Sequence, residues 1–207
     1  MRSDSEHWDK IFKVSEDEKL GWFENDFSKT FELLNKISKF ERKKCFLAGV
    51  GTSCLADELF AKKNEMVLND ISIEALNRVK KRVGRRSTDC EWLCHDLSTP
   101  LGTKSVEADI WIDRAVLHFL TEESGIEIYF NNLRSVIGEG GYALFAEFSK
   151  SGALKCAGLE LHRYDIDELS SGLGESFELV SSFEHIYINP SGDPRPYIYA
   201  LFKRNKK

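Results

Sequence analysis

The chain predicts an α/β fold: one seven-stranded sheet of five parallel strands, closed by a C-terminal antiparallel hairpin, with helices on both faces. Three observations carry that expectation. Short apolar runs alternate with stretches of helical spacing, the pattern of parallel strands joined by right-handed helical crossovers. The first of these runs leads straight into Gly49-Val50-Gly51, a turn whose glycines permit positive φ and close approach of a ligand. The chain then finishes on two strand-like runs, Phe177 to Ile188 and Tyr197 to Phe202, separated by the turn sequence Asn189-Pro190-Ser191-Gly192-Asp193-Pro194.

Taken in order, residues 1–26 form a polar N-terminal arm carrying His7-Trp8-Asp9 and Gly21-Trp22-Phe23-Glu24. Its tryptophans suit either of two roles: docking the arm onto the domain, or closing a lid over a ligand. Phe27, Phe31, Leu34, Ile37 and Phe40 recur at steps of three and four and predict an amphipathic helix that ends before Glu41-Arg42-Lys43-Lys44. The first strand, the glycine turn and a helix follow. A second strand ends at Asp70, where Ser72 caps a helix with Ile73, Leu76, Val79 and Val83 on one face, ended by Gly84.

A third strand is predicted over Glu91 to Asp96 and a fourth over Ala108 to Asp113, with Pro100 and Gly102 breaking the chain between them. Thr121 is the expected cap of the next helix, which turns Ile126, Tyr129, Leu133, Val136 and Ile137 inward. Gly138-Glu139-Gly140-Gly141 then turns into a fifth strand, Tyr142 to Phe148. A largely polar loop, Ser149 to Tyr164, precedes a short helix from about Asp165 to Gly172 and Gly174.

The 207 residues suffice for one well-buried core and contain no linker, so residues 1–207 are expected to form a single domain. A net charge of -5 argues against a nucleic-acid backbone as the main partner. The basic run Arg78, Lys80, Lys81, Arg82, Arg85 and Arg86 reads as a solvated helix face. No apolar run is long enough to span a membrane, and the N-terminus lacks the apolar core of a signal peptide. With an odd number of cysteines in mostly apolar segments, the expectation is a cytoplasmic protein with reduced thiols. Cys90, Cys94, His95 and Cys156 match no zinc-ligand spacing, and no metal is expected.

In an open α/β sheet, ligands bind beyond the carboxyl ends of the strands, where Asp70, Asp96 and Asp113 are expected to converge. A carboxylate about twenty residues after a Gly-x-Gly turn is where a nucleotide-binding unit needs an acceptor for ribose hydroxyls, so Asp70 points to an adenosine-containing cofactor. Asp113, Arg114 and His118 are the candidate catalytic residues, because the fourth strand would deliver them to the same edge. His118 titrates in a range suited to proton transfer, with a structural role as the alternative. For Arg114 the alternatives are an anionic acceptor and a neighbouring carboxylate.

Leu47-Ala48-Gly49-Val50-Gly51-Thr52-Ser53, Asn69-Asp70-Ile71-Ser72, Trp111 to Leu120 and Leu133 to Gly141 together resemble the motifs of the class I S-adenosylmethionine-dependent methyltransferases, a Rossmann-like fold. The resemblance covers nearly the whole chain. It implies S-adenosylmethionine as cofactor, with Gly49, Gly51 and Ser53 at its methionine and ribose parts and Asp70 accepting from the ribose hydroxyls. It further implies Ile71 against the adenine face, and Asp96 at the adenine amino group with Leu97 nearby. Leu47 stands where the family often has an acidic residue, leaving the methionine amino group to Asp113 or to backbone carbonyls. Ser53 replaces a frequent third glycine and Glu139 a frequent proline. The implied activity is methyl transfer to an acceptor, a small molecule being favoured over a protein. Two other readings use the same turn: an NAD(P)-dependent oxidoreductase, disfavoured because Cys54 stands where Gly-x-Gly-x-x-Gly needs its last glycine, and a non-catalytic S-adenosylmethionine-binding regulator.

Overall fold

The computed structural model describes residues 3–102 and 106–206, so the first two residues of the expected arm and the last residue of the expected domain lie outside the described residues. The parallel strands are β1 (Lys44–Ala48), β2 (Glu65–Asp70), β3 (Cys90–Cys94), β4 (Ala108–Arg114) and β5 (Ile137–Phe148). A two-stranded ribbon, β6 (Lys155–Cys156) with β7 (Leu159–Glu160), stands apart, and the long hairpin is β8 (Phe177–Ile188) with β9 (Pro194–Arg204). The sheet order is β3-β2-β1-β4-β5-β9-β8. Pairing is parallel from β3 to β5 and antiparallel through β9 and β8. The chain reverses its direction across the sheet between β1 and β4, which places a crevice beyond their carboxyl ends.

Side chains alternate between the two faces of each strand, and two cores result. Cys45, Leu47, Met66, Leu68, Ile110, Ile112 and Leu144 belong to one, with Leu76, Val79 and Val83 of helix α4 (Ile73–Val83). Phe46, Val67, Trp111, Ala143 and Phe145 belong to the other, with Tyr129 and Leu133 of α5 (Glu123–Val136) and Leu169 and Leu173 of α6 (Ile166–Leu173). Phe46 and Trp111 stack with ring centroids 4.2 Å apart. A third cluster joins Trp8 and Phe12 of α1 (Ser5–Val14) to Leu20, Ala75 and Leu159, and so fastens the arm to the domain.

Several boundaries differ from those the periodicity predicts. Helix α2 covers only Ser28–Leu34, because Lys36 and Ile37 donate to carbonyls three residues back and Lys39 adopts φ 54°. Ile37 and Phe40 are buried all the same, since tight turns preserve the spacing that the pattern detects. Strand β3 starts and stops early and leaves Asp96 two residues beyond it. Glu122, not Thr121, occupies the N-cap of α5, and Ile137 already belongs to β5.

The expected glycine turn before β5 is instead an irregularity within the strand, where pairing shifts between Ala108 and Ile110. A Cβ on Gly141 would lie 2.7 Å from Ile137 Cγ2 and 2.9 Å from the Asp109 carbonyl, so the folded-over strand requires glycine there. The polar loop before α6 contains the β6–β7 ribbon, turned by Ala157 (φ 51°) and Gly158 (φ 77°). Between β3 and β4, Asn132 of α5 secures the chain by donating to the Leu97 and Thr99 carbonyls. No helix among the described residues is long and apolar enough to cross a membrane.

Candidate active site

One cavity opens at the carboxyl ends of β1, β2 and β4, with about 1210 Å³ of empty space counting its open mouth. Its floor is the turn after β1. Gly49 and Gly51 have φ of 59° and 52°, the left-handed region. Val50 N–H donates to the Asn69 carbonyl at 2.8 Å, Gly51 N–H to Asp70 Oδ2 at 2.7 Å, and Ser53 N–H to the Val50 carbonyl at 3.0 Å. The glycine spacing therefore fixes a closed loop against the end of β2.

Asp70 is buried, and its second oxygen accepts from Ser72 N–H at 2.8 Å. Burial raises its carboxyl to about 6, with the Ser72 and Gly51 amides opposing. Ser72 caps α4 through Ala75 N–H, and its hydroxyl donates to Asp9 Oδ1 of the arm at 2.5 Å. Asp96 Oδ1 accepts from the amide and the hydroxyl of Ser98, at 2.8 and 2.7 Å. Gly49, Gly51, Ser53, Asp70, Ile71, Asp96 and Leu97 all line this cavity. Seven of the eight residues expected at the cofactor thus share one wall, Asp113 being the exception.

The opposite wall and the roof come from the arm and the end of β4. Trp8, Phe12, Leu20, Trp22 and Phe23 face Phe119 and Leu120, with Trp8 set edge-on to Trp22 at 5.5 Å and to Phe119 at 4.8 Å. Among these aromatics sits one charged pair. Arg114 Nε lies 2.7 Å from Glu24 Oε2 with both side chains largely buried, although the N–H is not aligned for a hydrogen bond. Arg114 Nη1 donates to the Trp22 carbonyl at 3.0 Å, while Nη2 has no hydrogen-bond partner. Its guanidinium lies over the Tyr187 and Tyr197 rings at 5.2 and 5.5 Å. Burial opposes the Arg114 charge, but Tyr197 and Glu24 outweigh it and hold the group firmly protonated. Burial raises the Glu24 carboxyl, with Arg114 pulling it back. The Tyr187 hydroxyl donates to the Phe23 carbonyl, so the arm is pinned to the C-terminal hairpin as well.

Two of the expected catalytic residues lie away from the cavity rather than at its mouth. Asp113 is fully buried and lies outside the cavity lining, on the strand face opposite Ile112 and Arg114. Its oxygens accept from Val116 N–H, Leu117 N–H and the Tyr129 hydroxyl, which fixes the turn after β4 from within the core. His118 is also fully buried and outside the lining, in the turn Leu117–Phe119, with Nδ1 2.6 Å from Glu147 Oε2. Burial lowers His118 to about 3 and raises Glu147 to about 8, so this interior cluster suits neutral forms. Arg163 and Tyr164 do not reach the cavity either. Arg163 bonds the Lys150 and Gly152 carbonyls, and Tyr164 is buried in the core.

Glu24 and Phe12 are among the cavity residues that sequence reasoning missed. Glu24 stands at the end of a conspicuous aromatic stretch, but its partner Arg114 is distant in sequence and no local spacing joins them.

The strand order, the glycine turn and the cavity at the switch point together define the class I S-adenosylmethionine-dependent methyltransferase fold, and the chain has it. By sequence, no family model and no curated protein matches. Among solved structures it is similar to the N-methyltransferase NodS of Bradyrhizobium japonicum in complex with S-adenosylhomocysteine, at 14% identity and TM-score 0.74 over 97% of this chain and 100% of that one. A SAM-dependent methyltransferase of Anabaena variabilis gives 16% identity and TM-score 0.76 over 97% and 93% of the two chains. The 1,6-didemethyltoxoflavin N1-methyltransferase of Burkholderia thailandensis gives 14% and 0.66 over 86% and 77%. Identities this low speak for the shared fold.

Proposed function

We propose that this chain binds S-adenosylmethionine and catalyses methyl transfer to a small, flat acceptor. The observation that carries the reading is the single cavity in which the glycine turn, Asp70 and Asp96 face an aromatic roof. The donor set suits the cofactor. A carboxylate offers about four acceptor sites, and the two backbone amides on Asp70 leave room for both ribose hydroxyls. Asp96 is free in the same way to take an amino N–H, and Ile71 and Leu97 supply apolar contact for a flat base.

Bound S-adenosylmethionine supplies a methyl group made electrophilic by its sulfonium. The protein's part is alignment and exclusion of water, which contribute up to about 7–11 kcal/mol in favourable systems. The roof of Trp8, Phe12, Trp22 and Phe119 does both, and its flat faces favour a planar acceptor over a polymer. Glu24 is the only carboxyl lining the cavity besides Asp70 and Asp96 among the described residues. It therefore takes the proton-accepting role for which Asp113 and His118 have no access, where the acceptor must lose a proton. Its structural relatives include N-methyltransferases, one of them with bound 1,6-didemethyltoxoflavin, and this supports a small-molecule acceptor.

The test is calorimetric titration with S-adenosylmethionine, S-adenosylhomocysteine and NADH in parallel. Saturable binding of the first two and none of NADH is expected. Failure of both adenosyl ligands to bind the folded protein would overturn the reading.

A further inference from the structure

The basic run on α4 departs from a solvated face at Arg78 and Arg82. Arg78 reaches the arm, donating to the Phe12 and Ser15 carbonyls. Arg82 reaches the underside of the glycine turn: Nη1 donates to the Thr52 carbonyl at 2.7 Å and Nη2 to the Ser53 carbonyl at 2.6 Å. Its Nε donates to Asp57 Oδ2 of α3 (Leu55–Ala61) at 3.0 Å. Thr52 and Ser53 line the cavity, whereas Arg82 does not.

We propose that Arg82 is a positioning residue for the cofactor site, holding the Gly51-Thr52-Ser53 backbone in its ligand-binding shape through two adjacent carbonyls. The inference rests on the S-adenosylmethionine reading above. The fork geometry is what matters. A guanidinium presents parallel donors in one plane and fixes two consecutive peptide planes at once, which a lysine ammonium on a flexible stem does not. The other ties on the turn come from its own residues, from Leu55 and from Asn69 and Asp70 at the end of β2, so Arg82 is the brace from α4. Asp57 Oδ2 lies 3.0 Å from Arg82 Nε and 3.0 Å from Nη2, an ion pair that stands beside the two carbonyl contacts. A site held within a fraction of an ångström binds more tightly than one that must be ordered by its ligand.

The experiment uses S-adenosylhomocysteine as the probe, with affinities measured by calorimetry well below each variant's melting temperature. Amide hydrogen exchange is followed in parallel across residues 49–55 of the ligand-free protein. Arg82→Gln is expected to weaken S-adenosylhomocysteine at least tenfold and to speed exchange in that segment. Arg82→Lys is expected to fall between the two. Asp57→Asn is the control for mere destabilisation: it removes the ion pair while the two carbonyl contacts remain, and should lower the melting temperature with affinity within about twofold of wild type. Wild-type binding matched by Arg82→Gln binding within twofold, with exchange unchanged, overturns the role of Arg82 alone. Absence of binding by the folded wild type overturns the cofactor reading and this inference with it.

Discussion

Replacing Asp70 with asparagine separates what this residue costs the fold from what it gives the site. Asp70 is 5% exposed and its carboxyl is raised from 3.8 to about 6, chiefly by burial. About two pH units at about 1.4 kcal/mol each correspond to roughly 3 kcal/mol. The folded state holds this proton more tightly than the unfolded chain does. The associated stability is therefore fully present below pH 3.8 and is lost as the pH rises to about 6. Asparagine does not titrate, but it keeps only one acceptor oxygen. The Gly51 or the Ser72 amide then loses its partner, at a pH-independent cost of about 1–3 kcal/mol. The stability difference between Asp70→Asn and wild type should move by about 3 kcal/mol in the variant's favour between about pH 4 and pH 7. Urea unfolding followed by tryptophan fluorescence across that range reads it directly. A difference that does not change with pH refutes the argument from burial. At pH 7.5 the same variant should bind S-adenosylhomocysteine at least tenfold more weakly, about 1.4 kcal/mol. Unchanged affinity in the folded variant removes Asp70 from the ribose role.

Gly49→Ala adds a Cβ 2.2 Å from Val116 Cγ2 at a positive φ, whereas Gly84→Ala meets nothing within 4 Å at nearly the same φ. Urea titrations should show destabilisation by both, with the loss for the first larger by about 1–3 kcal/mol, the cost of overpacking; equal losses would mean that the Val116 contact relaxes freely. His118→Gln should leave S-adenosylhomocysteine affinity within about twofold, since His118 lies outside the cavity; a large loss of affinity would return His118 to the site. With the folded His118 lowered to about 3, its stability contribution is present above pH 6.5 and lost as the pH falls toward 3. The difference between His118→Gln and wild type should shift across that window, and a constant difference would refute it. Glu24→Ala leaves the Arg114 cation buried without its counter-charge, which in comparable sites costs about 3–5 kcal/mol. Hydrogen exchange should then quicken across residues 20–26, and an unchanged pattern would show that the arm is held by its aromatics alone.

The strands and the cavity wall that carries Gly49, Gly51, Asp70 and Asp96 were legible because their signals are local. Strand alternation, glycines after β1 and an aspartate ending β2 each sit within a few residues of the feature they specify. The acceptor side was not legible, for two different physical reasons. Adjacent residues on a strand point to opposite faces, so Asp113 and Arg114 do not both reach one cavity; Ile112 and Arg114 line it, and Asp113 turns into the core. The period-two rule contained that answer, and the expectation that three strand-end aspartates converge overrode it. The pairing of Glu24 with Arg114, by contrast, depends on where the arm crosses the sheet, and no spacing in the chain encodes it. For the arm, the tryptophans left docking and covering as alternatives; Trp8 is buried in a cluster with Phe12, and both also line the cavity.

The contact between the Phe23 carbonyl and Tyr187 ties together parts of the chain 164 residues apart. On the ribosome the arm emerges well ahead of the hairpin, so for most of synthesis the Phe23 carbonyl lacks its Tyr187 partner. Contacts of such long range close late and slow the overall folding rate. A nascent chain released before β8 and β9 would leave the β5 edge unpaired and that end of the arm unanchored, the kind of exposed surface that chaperones retain. Completion of the last hairpin is thus also the moment at which the second end of the arm is pinned.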